Sequence, residues 1–281
     1  DNGTSNGLSS GDAEGAKVDK AYQCLENEIK TKNSFSLQDA VFSLLALGSD
    51  QKLESELEKQ RKSGDVCWPK SGCNIKDTAQ VLLAYDKIGK DIEDIKKWLI
   101  SKAQSARDLV WFLEIDIQNH GASECILRYD SRDFKINVKD DMTLSGNPGN
   151  CFEISYGGYW LKLKESCLDK EFEISCNQDF VTTLVYQKKS GGTVYVSSNT
   201  HSSASLGTTN EKVNSKCFTL GSTCDYEGTL WAATALKKIN EETSIYIPYL
   251  LAMADSNQKY LPSAFLYILA GGEDQYSELI Q

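Results

Sequence analysis

Histidine is scarce: His120 and His201 are the only two in 281 residues. That leaves little material for a Ser-His-Asp or Cys-His nucleophilic set, and no C-x-x-C pair is present to begin a zinc site. Long apolar runs are missing too. None approaches the ~18 residues that mark a membrane-spanning helix. Basic residues are outnumbered, with 30 Lys and Arg against 40 Asp and Glu and a net charge of -10. This balance argues against nucleic acid, whose phosphates call for cationic neutralisation. The first residue is Asp1 rather than Met, so a processed or trimmed N-terminus is expected. What is present is ordinary for a globular protein, 40% hydrophobic and 25% charged, in a chain long enough to bury one large core or two modest ones.

Cysteine is the exception, with nine in all. Short spacings suit local loops and suggest Cys67 with Cys73, Cys167 with Cys176, and Cys217 with Cys224. Cys125 and Cys151 share one β-rich stretch and form a candidate fourth pair. Sequence does not fix connectivity. Cys24 is left over, among helical residues, and is expected to be a buried free thiol. Disulfides rather than metal, and with them an oxidising, extracellular setting, are the reading. Asn2-Gly3-Thr4 is an N-glycosylation sequon, with Asn2 as the acceptor.

Residues 1–15 are polar and rich in Gly and Ser, a flexible tail; if ordered, it should be held by its own body or by a neighbouring molecule. From Ala16 the periodicity is helical: Val18, Tyr22, Leu25 and Ile29 fall at i, i+4, i+7 and i+11. Ser36 with Asp39 forms a helix-starting pair, and Gly48 a stop. A thin stripe of Leu53 and Leu57 follows, then the loop Cys67-Trp68-Pro69 and a helix around Asp77. Ile92, Ile95, Trp98 and Leu99 mark one more. Near Arg107 the period becomes two: Leu109, Trp111, Leu113, Ile115 and Ile117 alternate with other residues. Strand-like runs follow at 125–129, 134–138, 152–163 (folded at Gly157-Gly158), 172–175, 180–187 and 193–197. His201–Asn210 is expected to be an exposed loop leading back to helix. The partition is thus a tail at 1–15, helical repeats at 16–106, an inserted antiparallel β-sandwich-like domain at 107–205, and helical repeats again at 206–281.

One phrase recurs. Ile75–Gly89, Leu37–Gly48, Tyr226–Asn240 and, more loosely, Tyr260–Gly271 each place an apolar helical run after a small or acidic pair, and each is followed by further helical sequence. The unit is an αα-hairpin repeat. Trp68, then Asp77-Thr78-Ala79, then an apolar helix, resembles the repeats of the squalene-cyclase and protein-prenyltransferase (terpenoid cyclase-like) superfamily. Cys224 to Thr229 with Trp231 resembles another copy. The resemblance covers roughly 17–106 and 217–281 and implies an α/α toroid, here an incomplete one or an arc.

The chemistry of that superfamily finds no matching residues. Class II cyclases use a D-x-D-D-T-A motif whose middle Asp is the acid; the aligned run here is Asn74 to Ala79, with Lys76 at the middle, a far weaker acid. Asp77 survives and reads as a carboxylate placed at a helix start. Prenyltransferase zinc needs Asp, Cys and His. Asp225 stands beside Cys224, but no His follows in a matching context. The thioester run C-G-E-Q of complement-type toroids is replaced by Gly72-Cys73-Asn74-Ile75. Asp140-Asp141 lacks the spacing of an EF-hand and reads as a solvated turn. Tyr156, Tyr159 and Trp160 read as hairpin packing before they read as a sugar platform.

No catalytic, cofactor or metal residues are therefore assigned, and no enzyme activity is expected. The sequence points to a secreted or cell-surface structural protein that associates with itself, through the tail or a β edge, as the subunit of an extracellular filament or surface layer. The alternative is a toroid-fold enzyme, or a small-ligand or glycan binder, using the concave face of the arc.

Overall fold

A computed structural model of the chain describes residues 10–271 and Ser277, with side chains from Gly15 onward. The fold is mixed α/β, with helices before and after an antiparallel β region in the chain. Two compact units form. The first ends at Lys102 and includes Lys238–Glu241; the second comprises Ala103–Lys237 and the chain from Glu242 on. The second unit therefore joins the strands to the C-terminal helices, which sequence periodicity divides at residue 206.

The first unit holds α1 (Ser10–Thr31), α2 (Leu37–Leu47), α3 (Gln51–Lys59), α4 (Ile75–Lys87) and α5 (Glu93–Ser101). Helix α1 starts inside the segment expected as a tail; the rest of that segment, with the Asn2 sequon, lies outside the described residues. The remaining helix boundaries follow from local chemistry. Ser36 and Asp39 form a full capping box on α2, and Gly48, at φ 89°, ends it by taking up a backbone angle that side chains disfavour. Asp50 caps α3, and Asn74 caps α4. Helix α2 packs on α3 and α4, and α4 on α5. Leu53 and Leu57, the whole apolar stripe of α3, are fully buried. Trp68 donates its indole N–H to the Leu57 carbonyl at 2.8 Å and stands edge-on to Tyr85 at 5.9 Å, so a large side chain is buried with its one donor satisfied.

The described residues of the second unit form twelve strands: β1 (Ala103–Ser105), β2 (Leu109–Ile117), β3 (Ser123–Tyr129), β4 (Arg132–Val138), β5 (Leu144–Gly146), β6 (Phe152–Ser155), β7 (Trp160–Leu163), β8 (Glu171–Cys176), β9 (Phe180–Lys188), β10 (Tyr195–Ser203), β11 (Thr209–Lys212) and β12 (Lys216–Phe218). Two five-stranded sheets run in the orders β10-β9-β2-β7-β6 and β11-β8-β3-β4-β5, and β1 pairs with β12. Period-two alternation aims Leu113, Ile115 and Ile117 to the buried side of β2. Aromatic contacts join the two sheets: Phe152 of β6 meets Phe172 of β8 at 4.6 Å and Tyr129 of β3 at 6.1 Å. His201–Asn210 is corrected. Its first three residues continue β10 and its last two open β11; the β-branched Thr208-Thr209 suits a strand start, and a run rich in Ser does not by itself specify a loop.

Among the described residues, α6 (Tyr226–Lys238), α7 (Ile247–Ala252) and α8 (Pro262–Ala270) follow the strands. The Tyr226 hydroxyl donates to the Leu250 carbonyl at 2.8 Å, and Trp231 sits edge-on to Phe265 at 5.1 Å. Tyr186, Tyr226, Tyr246 and Tyr249 of this unit are buried. Burial disfavours the phenolate of each, raising all four above the ordinary phenol value, with Tyr246 pushed up to about 12. The folded state then holds these protons where the unfolded chain releases them. Stability should be level up to the unfolded phenol value near ~10 and fall as pH rises beyond it. Urea unfolding across an alkaline pH series, followed by tyrosinate absorbance, checks this. Ionisation of these rings near pH ~10 with the fold retained would contradict it.

Candidate functional site

Two helix starts in this chain are built alike. In the first, Cys67 and Cys73 are joined by a disulfide and Trp68 follows the first half-cystine. Asn74 follows the second and caps α4, its side chain accepting from the Asp77 N–H at 3.1 Å. The Asn74 N–H donates to the Trp68 carbonyl at 2.7 Å. The hydroxyl of Thr78 accepts the Trp68 N–H at 3.0 Å. In the second, Cys217 is joined to Cys224, with Phe218 and Asp225 in the corresponding places. Asp225 caps α6 by accepting the Gly228 N–H at 2.9 Å. Its own N–H donates to the Phe218 carbonyl at 2.9 Å, and Thr229 accepts the Phe218 N–H at 3.0 Å. Both threonines are fully buried.

The chemistry of this arrangement is mechanical. The loop before each helix carries backbone groups into the interior, where each needs a partner. Threonine supplies one without breaking the helix, since its hydroxyl reaches past its own turn. The half-cystines close the loop so that the aromatic residue is delivered to the same place each time. Asp77 belongs to this setting. It lies in the first turn of α4 and accepts from Gln38 Nε2 at 2.9 Å, which ties α2 to α4.

The other two disulfides differ from expectation. Cys125 pairs with Cys176 and Cys151 with Cys167, in place of Cys167–Cys176 and Cys125–Cys151. The reason is sheet topology. Cys167 follows β7 in one sheet while Cys176 ends β8 in the other, and antiparallel register sets Cys125 directly across from Cys176. Cys151 precedes β6, so the β6–β7 hairpin returns Cys167 to its side; the Lys164 N–H reaches the Cys151 carbonyl at 2.8 Å. Cys24 is corrected as well. It is a free thiol, but an exposed one.

Among the described residues one group of metal-type side chains converges, Asp65 with Cys67 and Cys73. The disulfide occupies both sulfurs, leaving a single carboxylate to offer. His120 sits at a turn after β2, and its N–H donates to the Ile117 carbonyl. Asp140 accepts the Ala122 N–H at 2.8 Å, and Asp141 accepts from Thr143; the Thr143 bond holds the Asp141 carboxyl below its ordinary value. Both residues close a turn. Tyr156 and Trp160 cover Phe112 at 5.1 and 5.7 Å, cross-strand packing at the end of a hairpin.

A buried cluster escaped the sequence reading. Glu211 of β11 is 2% exposed, with the His201 Nδ1 at 2.9 Å and the Thr182 hydroxyl at 2.6 Å. Thr182 also lies 2.8 Å from the Thr209 hydroxyl. A hydroxyl has one proton, so Thr182 gives it to the carboxylate and accepts from Thr209. The set links β9 and β10 of one sheet to β11 of the other. Thr182 is fully buried, which denies a substrate access to its hydroxyl. The alternation Thr209-Asn210-Glu211-Lys212 was the available signal, since residues 209 and 211 share one face of a strand.

Comparison with protein-family models, with curated proteins and with solved structures finds no match to this chain.

Two predictions follow from the helix starts and the cysteines. Thr78→Val keeps the shape but strips the acceptor from a buried N–H, and should lower the unfolding free energy by ~1–3 kcal/mol in urea titrations, with Thr78→Ser retaining most of it. Peptide mapping without reduction should recover Cys125 joined to Cys176 and Cys151 joined to Cys167. A peptide joining Cys167 to Cys176 would refute the register described here.

Proposed function

We propose that this chain is a secreted or cell-surface structural protein without enzymatic activity, which self-associates as the subunit of an extracellular filament or layer. The helices are taken as an incomplete α/α toroid and the two sheets as an inserted β-sandwich. The repeated helix start favours the first assignment, and the aromatic contacts between the sheets favour the second. Four disulfides suit an oxidising compartment, and no helix among the described residues is long and apolar enough to cross a membrane.

The observation that carries self-association is electrostatic. From Ser190 to Asn210 the chain has no Asp, Glu, Lys or Arg, although a quarter of its residues are charged. That stretch contains β10, which ends its sheet and has a described neighbour on one side only. Val196 on it is 63% exposed. Edge strands of monomeric proteins commonly carry charge or Pro to prevent pairing. β10 has neither; its register slips after Val196, and β11 meets it at His201 through Glu211. Copies with a net charge of -10 repel one another over most of their surface. They approach at least cost where charge is absent, and there an open edge offers backbone N–H and C=O groups for strand addition. Docking of β10 on a different face of the next copy propagates, whereas β10 on β10 closes at a dimer.

Sedimentation velocity over a concentration series tests this. The expected result is a mass that rises with concentration, and a shift to monomer when Val196→Lys places a charge on the edge. A wild-type protein that stays monomeric at the highest concentration removes the proposal and advances the ligand-binding alternative.

A further inference from the structure

Helix α1 carries more apolar surface than its own unit covers. Its stripe of Val18, Tyr22, Leu25 and Ile29 has the 4-3-4 spacing of a helix-pairing seam. At the C-terminal end the seam is used, since Ile29 is buried and Leu25 half-buried. Toward the N-terminus it is open, with Val18 53% and Tyr22 43% exposed. Leu25 and Ile29 of the seam also line a cavity of about 380 Å³, together with Phe35 and Phe42 and with the polar Glu28, Lys32 and Asp39. An exposed two-turn seam thus leads to a pocket whose apolar lining is Leu25, Ile29, Phe35 and Phe42.

The residues beside the seam state what can lie there. At 100° per residue, Asp19 and Glu26 fall on one flank and Glu28 on the other. All three are exposed, and none makes an ion pair with a described residue. Lys17, Lys20 and Lys30 lie further round the helix, away from the seam. Flanking charges choose the partner of such a seam. A second α1 would bring acid against acid in either direction. An anionic membrane surface is disfavoured for the same reason.

We propose that the open seam of α1 and the adjoining pocket form a docking groove for an amphipathic helix of another protein. That helix has an apolar stripe flanked by Lys or Arg, and one large apolar residue fills the pocket as anchor. The occupant is chosen by charge complementarity, and this surface is separate from β10, so it stands or falls independently of self-association.

Cys24 faces away from the seam and is exposed, which makes it a site for a fluorescent label on the full chain. The probe is a synthetic three-heptad peptide with Leu at the seam positions and Lys at the flanks. Its partners are the same peptide with Glu at the flanks and a Lys peptide with the Leu positions scrambled. The Lys peptide should bind saturably and the other two should not. Val18→Glu or Tyr22→Glu should weaken it by about tenfold or more. The triple change Asp19→Lys, Glu26→Lys and Glu28→Lys should reverse the preference, so that the Glu peptide binds and the Lys peptide does not. Circular dichroism confirms that each variant is folded. Equal binding of the scrambled Lys peptide, or indifference to the seam substitutions, would overturn the proposal, because attraction to an acidic surface would then suffice. So would cross-linking of α1 to α1 between copies that is abolished by Val18→Glu.

Discussion

Two helices of this protein begin from the same contact, a buried threonine hydroxyl accepting the backbone N–H of an aromatic residue beside a half-cystine. That N–H has nowhere else to turn. It lies in a loop brought into the interior by the aromatic side chain it belongs to, where water is excluded and an unmet donor costs about 1–3 kcal/mol. Trp68 and Phe218 are each 1% exposed or less, so each start combines a large hydrophobic gain with a polar group that has to be answered. The cap residue, Asn74 or Asp225, answers from the other side by donating its own N–H to the aromatic residue's carbonyl. Both polar groups of one residue are thereby satisfied from a single helix turn. The helix direction, the loop path and the half-cystine positions then follow together.

Polar satisfaction also organises the β region. Glu211 is a carboxylate removed from solvent, tolerated because a hydroxyl and an imidazole meet it. Arg128 shows the exposed counterpart, with Asp133 at 2.7 Å and Glu173 at 2.6 Å on neighbouring strands. Exposed pairs of this kind contribute little to stability. Their effect is on register: a one-residue slip of β3 would part Arg128 from Asp133 on the β4 side and from Glu173 on the β8 side, and turn Leu127 outward.

Much of the helical part was legible because its signals are local. Ser36 with Asp39, Gly48, and the stripe of Leu53 and Leu57 each occupy a few consecutive residues, and the structure uses them as read. The cysteine pairing was only half legible. Cys67–Cys73 and Cys217–Cys224 close loops of a few residues, whereas Cys125–Cys176 depends on which strands become neighbours, a fact spread over fifty-one positions. Strands β1, β5 and β12 have three residues apiece, too few for alternation to show. The cluster at Glu211 was hidden differently. His201, Thr182 and Glu211 are ordinary in their own surroundings and acquire meaning only where two sheet edges meet.

The pairing of β1 with β12 sets Ala103 opposite Phe218 and Ser105 opposite Lys216. The chain therefore enters and leaves everything between them through one short ladder, its two ends a strand spacing of about 5 Å apart. A segment anchored in this way is a side branch in the topology of the chain. Its two ends stay adjacent whatever loops out beyond the ladder, while the branch itself folds back on the C-terminal helices, with Lys188 of β9 reaching the Ser256 hydroxyl at 3.3 Å. The ladder is in that sense a socket: it fixes where the branch leaves the chain and where the helix start at Cys217–Cys224 takes over again.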